Sequence, residues 1–267
     1  MYPDKTERYN QCSKLIAEYG QTFRGIEFDE KEQALEVYYL MTIKLLERHT
    51  KAIPLLINNN CFVEIFPLVR NLMETYFKIN WVVDTKNKQE RIDRVFRLEG
   101  HAFGEYEKEL QIIERHLDKK YTFYTKEAFN KLVDHIEREK KTQLQLTDKD
   151  ENGKIKYKSS PPLANMMGEI FRVKYYHLYR FVCTYIHPSP FLKTFLLNYN
   201  LYEKNPNELL NKPLNQALGI GLKFMSLTVG YSIDIFNKYN LESHKKRIRL
   251  YYEIDNIAKE GYEGYII

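Results

Sequence analysis

Glycine and proline are scarce in this chain, and no other feature of the sequence restricts its fold as strongly. Only 11 glycines and 9 prolines occur among 267 residues. An all-β protein built from many short strands needs more of these residues at its turns. Apolar residues instead recur at spacings of three and four over most of the chain, which predicts amphipathic helices. We therefore predict an all-α fold, arranged as a helical bundle.

The predicted helices follow one another closely, and no linker is long enough to separate two domains. We therefore predict a single domain over residues 1–267. The segment 54–83 is apolar nearly all round, so we expect one helix that begins at Pro54, bends at Pro67 and lies at the centre of the fold. The predicted helices cover approximately residues 6–20, 29–49, 54–83, 87–117, 126–146, 163–187 and 214–239.

Two segments differ in composition from the helical stretches. Residues 147–162 are polar and highly charged, which predicts an exposed loop, and the Asn152-Gly153 pair favours a tight hairpin turn within it. Residues 240–267 form a basic C-terminal segment.

The composition limits the functional classes. The formal net charge is +5, from 41 basic and 36 acidic residues, which permits a local anion site and does not require nucleic acid. The three cysteines are far apart and form neither a disulfide framework nor a metal pattern. The N-terminus is charged where a signal peptide needs an apolar run, and no stretch of about 18 uncharged apolar residues occurs. We therefore expect a cytoplasmic protein that has no membrane partner.

No motif predicts a metal ion or another cofactor. The segment 148–159 begins like a calcium-binding loop, but Ser159 stands where that loop needs a bidentate glutamate. The seven histidines include no pair at the spacing of zinc ligands on a helix. A glycine-rich phosphate loop, a nucleophilic serine motif and a reactive cysteine motif are also missing. The sequence therefore predicts no cofactor and no metal.

Arg70 and Glu74 are four residues apart in the most apolar predicted helix, so their side chains share a face and can reach each other. Two interpretations are open for this pair. It can be an internal ion pair that orients the helix, or it can line a polar pocket.

Arg180 and His187 are seven residues apart near the end of a predicted helix rich in aromatic residues. This spacing brings the two side chains to within about 20° of one face, about 10 Å apart along the axis. Pro188 places His187 at the helix C-terminus, where the dipole favours a protonated imidazole. In such a pair the arginine can bind a phosphate, and the histidine can donate a proton to it or accept one from it. Alternatively, Arg180 pairs with Glu74 or Glu169, and His187 caps its own helix.

The segment RFVCTYIH, from Arg180 to His187, resembles the signature of the HEPN superfamily. That signature is an arginine, four to six further residues and a histidine, near the end of a late helix in an all-helical domain. An earlier Arg-x-x-x-Glu helix, here Arg70 to Glu74, combined with this helix end is also similar to an uncharacterised bacterial family placed near that superfamily. Phe181 stands where active members often carry a polar residue.

The resemblance implies a HEPN-like fold and a metal-independent RNA endonuclease of an anti-phage defence or toxin-antitoxin system. In that reaction a 2′-hydroxyl attacks the adjacent phosphate, His187 is the general acid or base, and Arg180 stabilises the transition state. The resemblance also implies a homodimer and an antitoxin or other defence-system partner. The alternative is a catalytically inactive helical binding or regulatory domain, with these two residues and the Arg70–Glu74 pair in an internal polar network.

Two basic clusters are candidates for contact with an RNA backbone. Both are short, and solvated surface charge is the other interpretation of each. One cluster lies in the C-terminal segment and comprises Lys245, Lys246, Arg247 and Arg249; the other lies in the 147–162 loop and comprises Lys154, Lys156 and Lys158 around Tyr157.

Overall fold

The structure is a computed structural model that describes residues 3–28, 33–115, 125–186, 206–236 and 240–262. Within these residues the chain forms nine α-helices, a 3-10 turn and a two-stranded antiparallel hairpin, so the fold is all-α, as the sequence predicted. The helices are α1 (Pro3–Gln21), α2 (Ala34–Asn58), α3 (Ile65–Val83), α4 (Lys88–Glu114), α5 (Lys126–Thr142), α6 (Leu163–Met166), α7 (Gly168–Thr184), α8 (Pro206–Ile235) and α9 (Leu241–Tyr262). The 3-10 turn is Leu144–Leu146, and the strands are β1 (Thr147–Lys149) and β2 (Ile155–Tyr157).

The boundary between α2 and α3 differs from the prediction of one bent helix that begins at Pro54. Pro54 lies inside α2, which continues to Asn58. The chain then turns at Asn60, whose φ of 58° lies in the left-handed region that asparagine tolerates. Pro67 falls in the first turn of α3, where a missing N–H removes no intrahelical hydrogen bond. Two helices therefore replace the single one, and the asparagine-rich turn separates them.

The first of two compact units comprises Met1–Trp81 and Leu163–Ile267. In its core, α8 packs against α9 and α2, and α1 packs against α2 and α9. Two buried side chains of this core form hydrogen bonds between helices. The Tyr9 hydroxyl of α1 donates to the Leu218 carbonyl of α8 at 2.9 Å, and Ser226 of α8 donates to Asp255 of α9 at 2.7 Å. These bonds tie α1 and α9 to the central helix α8.

Within the described residues, the segment Lys212–Ile235 of α8 is long and apolar enough to cross a membrane. However, 72% of its most apolar stretch is buried inside the protein. The central helix of a packed core shows this same combination of length and apolar character, because it is covered on all sides by other helices.

The second compact unit, Val82–Pro162, contains α4, α5 and the hairpin. Leu110, Phe129 and Ile136 form an apolar cluster in this unit, and Ile92, Val95 and Leu146 are buried as well. The hairpin pairs Thr147 with Tyr157, Asp148 with Lys156, and Lys149 with Ile155. The Tyr157 side chain packs against the apolar cluster, so the hairpin covers the core of this unit.

Gly100 allows the base of the hairpin to approach α4 closely. A Cβ atom at this position would lie 2.8 Å from the backbone oxygens of both Leu146 and Lys158. Lys158 also forms an ion pair with Asp93 of α4, with 2.7 Å between Nζ and Oδ1. The hairpin is therefore packed on the helix along its base.

These observations add detail to the organisation that the sequence predicted. The single domain over residues 1–267 stays a prediction, and the chain groups into two compact units, because α4, α5 and the hairpin bury their apolar faces against one another. Only a short turn joins α3 to α4, so composition gives no sign of this division. The 147–162 segment is not an exposed loop throughout. Its tip at 151–154 is exposed, whereas Thr147 and Ser160 at its base are buried.

Candidate functional site

The predicted Arg70 and Glu74 pair lies on α3, in the first compact unit. The two side chains form an ion pair, with 2.6 Å between Arg70 Nε and Glu74 Oε1. The Arg70 side chain is 29% exposed and the Glu74 side chain 20%. The pair is therefore neither fully buried nor freely solvated.

Tyr179 of α7 completes this pair. Its hydroxyl donates to the same Glu74 Oε1 atom at 2.8 Å, and the Arg70 guanidinium lies 5.8 Å from the centre of its ring. Glu74 thus accepts hydrogen bonds from an arginine of its own helix and a tyrosine of another. We call Arg70, Glu74 and Tyr179 the α3–α7 cluster. Sequence reasoning did not assign Tyr179 to this site. The available signal was its position beside Arg180: adjacent residues of a helix point about 100° apart, so Tyr179 can contact another helix while Arg180 points elsewhere.

The electrostatics of the α3–α7 cluster favour a structural role. The hydrogen bond to Glu74 raises the pKa of Arg70. Burial, reinforced by the hydrogen bond to Glu74, raises the pKa of Tyr179, so its hydroxyl remains a donor at neutral pH. Burial also raises the pKa of the nearby Cys183 thiol, which argues against a nucleophilic thiolate. The cluster therefore links α3 to α7 and offers no activated nucleophile.

Arg180 follows Tyr179 in α7 and has a different environment. Its side chain is exposed and forms no ion pair with a carboxylate whose side chain the structure describes. Its backbone carbonyl accepts a hydrogen bond from the Thr184 hydroxyl at 2.9 Å. Of the two acids that the sequence offered as its partner, Glu74 is bonded to Arg70 and Tyr179. The side chain of the other, Glu169, lies outside what the structure describes. The Arg180 guanidinium is thus available to an anion from solution.

His187 lies outside the described residues. The described part of α7 ends at Thr184, and two tight backbone turns follow it, from Tyr185 N–H to Val182 and from Ile186 N–H to Cys183. At its other end α7 is separated from α6 by Met167, and the φ of 63° at Gly168, the first residue of α7, interrupts the helix predicted over 163–187.

The outward face of α7 is basic. The apolar residues of the opposite face, including Leu178 and Val182, are buried in the first unit. Because this inner face is covered, the charged residues of the helix are turned to solvent. The exposed residues of α7 between Arg172 and Arg180 are Arg172, Val173, Lys174, Tyr176, His177 and Arg180.

The C-terminal basic cluster does not form a free basic surface. Arg247 is fully buried, with its guanidinium 5.0 Å from the Phe23 ring centre and Nη2 donating to the Phe236 carbonyl at 3.1 Å. Its prediction as an RNA contact is therefore wrong, because no solvent-exposed atom remains for a phosphate. Lys246 forms an ion pair with Glu18 at 2.9 Å, and Lys245 forms one with Glu242 at 3.3 Å. The positive charge of this cluster is largely balanced by carboxylates.

The hairpin lysines are also partly neutralised. Lys156 pairs with Asp150 at 2.8 Å, and Lys158 pairs with Asp93 at 2.7 Å. Lys154 is exposed at the tip. In the part of the chain that the structure describes, no three His, Cys, Asp or Glu side chains stand close enough to hold a metal ion together.

The fold and the site define a class: an all-α protein with an exposed arginine on a basic helix face, beside an internal Arg–Glu–Tyr cluster. The model of a family of unknown function (DUF5677) matches residues 43–200, which is more than half of the chain. The chain therefore belongs to this family. The matched segment contains Arg70, Glu74, Arg180 and His187. No curated protein and no solved structure matches the chain.

Proposed function

We propose that this protein is an RNA endonuclease that needs no metal ion, with Arg180 and His187 as its catalytic residues. The observation that carries the proposal is the exposed Arg180 side chain, which has no ion pair with a carboxylate whose side chain the structure describes, while Glu74 is bonded elsewhere. An arginine that only stabilised the fold would be expected to pair with that acid. The resemblance of the Arg180 to His187 segment to the HEPN signature supplies the type of reaction.

In the proposed reaction, the RNA 2′-oxygen forms a bond to the adjacent phosphorus, and the bond from phosphorus to the 5′-oxygen breaks. The 2′-hydroxyl loses a proton and the 5′-oxygen gains one, and the His187 imidazole makes one of these transfers. The Arg180 guanidinium donates hydrogen bonds to the phosphate oxygens, where negative charge increases in the transition state. The products are a 2′,3′-cyclic phosphate and a 5′-hydroxyl.

We infer further that the helical fold is HEPN-like and that the protein acts as a cytoplasmic homodimer. An antitoxin or another defence-system protein is the expected regulatory partner, because an unrestrained ribonuclease would damage its own cell. Light scattering of the purified protein measures the mass of the assembly and tests the dimer directly.

The proposal is tested by RNA cleavage in EDTA, comparing the wild type with His187→Ala and Arg180→Ala. We expect each substitution to lower the cleavage rate about 10²- to 10⁴-fold, as loss of a proton-transfer group or a charge-stabilising donor does. His135→Ala is the matched control, because His135 is an exposed histidine of α5 in the other compact unit. Equal cleavage by the wild type and His187→Ala would refute the proposal.

A second candidate function is a catalytically inactive helical domain that binds a partner or regulates one. The internal α3–α7 cluster favours it, because Arg70 and Glu74 are engaged with each other and Tyr179 rather than with Arg180. Under this function, purified wild-type protein cleaves no RNA, and expression of the wild type and His187→Ala is equally harmless to cells.

A further inference from the structure

Two lysines from different helices lie against the same aromatic ring in the first compact unit. The Lys174 ammonium of α7 is 5.4 Å from the Tyr175 ring centre, and the Lys223 ammonium of α8 is 5.2 Å from it. Lys223 is also 5.3 Å from the Tyr262 ring centre of α9. The two like charges are therefore held near each other by aromatic contacts.

No carboxylate whose side chain the structure describes forms an ion pair with either lysine. Cation–π contacts stabilise each ammonium only modestly and leave its charge in place. Burial lowers the pKa of Lys223, and the charge of Lys174 lowers it further. The site thus carries an excess of positive charge, which a bound anion would offset.

Lys174 belongs to the basic face of α7, and Lys223 adds a cation from α8 beside it. Lys174 precedes Arg180 by six residues, or about 9 Å along the helix axis. Between them, His177 is exposed, and the Tyr176 side chain is 38% exposed. Six residues rotate the side-chain direction by about 600°, so Lys174 and Arg180 point about 120° apart on the exposed side of the helix. Cations spread over an exposed surface, with an aromatic ring among them, match the way proteins bind single-stranded nucleic acid, by phosphate contacts and base stacking.

We propose that Lys174 and Lys223 bind a backbone phosphate of single-stranded RNA, on the same strand as the phosphate at Arg180. This inference rests on the proposed function, because it assigns the strand that enters that site. Because this surface is basic, charge complementarity favours the binding of RNA there over the binding of a second copy of the chain. A symmetric contact at this face would place identical basic surfaces against each other.

The test measures binding of a dye-labelled single-stranded 2′-O-methyl RNA, which has no free 2′-hydroxyl and is not cleaved, over a series of salt concentrations. The full-length protein is compared with the double variant Lys174→Gln/Lys223→Gln. We expect affinity at low salt to fall about tenfold and the slope of log affinity against log salt to decrease by about 0.7 for each phosphate that the variant no longer neutralises. The matched control is Lys245→Gln/Lys246→Gln, whose lysines are paired with carboxylates, and its affinity should change less than twofold.

Because Lys223 is half-buried, a Lys223→Arg variant separates loss of charge from loss of folding. It should bind RNA with nearly wild-type affinity. The inference is overturned if the two double variants lose affinity equally, or if Lys174→Gln/Lys223→Gln retains wild-type affinity and salt slope. It is also overturned if a polyglutamate peptide displaces the RNA as well as unlabelled RNA does. RNA binding that depends on these lysines, without cleavage of ordinary RNA, would support the inference and refute the endonuclease.

Discussion

Neighbouring residues of one basic run have opposite environments in this protein. Lys246 lies at the surface beside Glu18, whereas Arg247 is fully buried between the Phe23 and Phe236 rings. One residue of α-helix turns the side chain direction by about 100°, so a run of adjacent basic residues cannot all face the same partner. On α7, Lys174, His177 and Arg180 are spaced by three, so each side chain turns only about 60° from the one before it, and all three are exposed.

Lys5 is another cation in an unusual environment. It is 7% exposed, and its ammonium donates to the Asn215 carbonyl at 2.7 Å. Burial lowers the pKa of Lys5 from 10.5 to about 8. As pH rises above 8, the folded protein releases this proton while the unfolded chain still binds it. The free energy of unfolding therefore rises with pH over this interval.

We predict that Lys5→Met changes the pH dependence of stability. The wild type should gain stability relative to this variant as pH is raised from about 8 to about 10, because only the wild type has this depressed pKa. Urea unfolding at several pH values measures the difference in the free energy of unfolding. The contribution of the buried tyrosines to the pH dependence is the same in both proteins and drops out of this difference. Lys14→Met, at an exposed position of α1, is the control. A difference between the wild type and Lys5→Met that does not vary with pH would contradict this prediction.

Among the helices, α7 packs against the first unit with one face and presents Arg180 to solvent with the other. Leu178 and Val182 pack into the first unit, and Tyr179 at the edge of that face reaches Glu74 of α3. The hydrogen bond orients the helix that presents Arg180 outward. A structural contact and a proposed catalytic residue are therefore consecutive in sequence, since adjacent residues of a helix point in different directions.

Two glycines of α4 provide a matched pair of substitutions. In Gly100→Ala the new methyl group would meet backbone oxygens of the hairpin at 2.8 Å, so we expect a loss of about 1–3 kcal/mol in stability. In Gly104→Ala the nearest atom is Tyr157 Cβ at 3.7 Å, an ordinary contact. This variant should gain up to about 1 kcal/mol because alanine favours a helix.

Denaturant unfolding followed by far-ultraviolet circular dichroism measures both effects. The two variants should differ in sign, although each adds one methyl group to the same helix. If Gly100→Ala is as stable as Gly104→Ala, the hairpin does not rest on α4 as described.

At the scale of the whole molecule, the two compact units have cores of different size. In the first unit, α8 is buried along most of its length, and its fully buried residues include Leu218, Phe224 and Val229. In the second unit, three buried residues form the apolar cluster of α4 and α5. The apolar surface removed from water sets most of the stability of a core.

We therefore predict that backbone amides of α8 exchange hydrogen more slowly than those of α5. Hydrogen exchange followed by mass spectrometry measures both in one experiment, because exchange reports the local free energy of opening. Gly104→Ala, which strengthens α4, should slow exchange in the second unit without affecting α8. Uniform protection along the chain, or slower exchange in α5, would show that the two units do not differ in stability.

The all-α class and most helix positions could be predicted from the sequence, because both depend on the local spacing of apolar residues. The Arg70 and Glu74 pair was also predictable, since residues four apart on a helix meet whatever the rest of the chain does. The start of α3 could not be predicted. Pro54 lies inside α2 and Pro67 lies in the first turn of α3, and local sequence does not show which of these two positions a proline takes.

Which charges are buried and which are exposed depends on the packing of the helices and could not be predicted from the sequence. Tyr179 reaches Glu74 across 105 residues of sequence, and this bond keeps that acid from Arg180. Arg247 is a core residue because α9 packs against α1 and α8. Lys223 of α8 lies near Lys174 of α7 because both ammonium groups contact the ring of Tyr175. Such contacts join residues that are far apart in the chain, and their geometry depends on how the helices pack rather than on the pattern within any one helix.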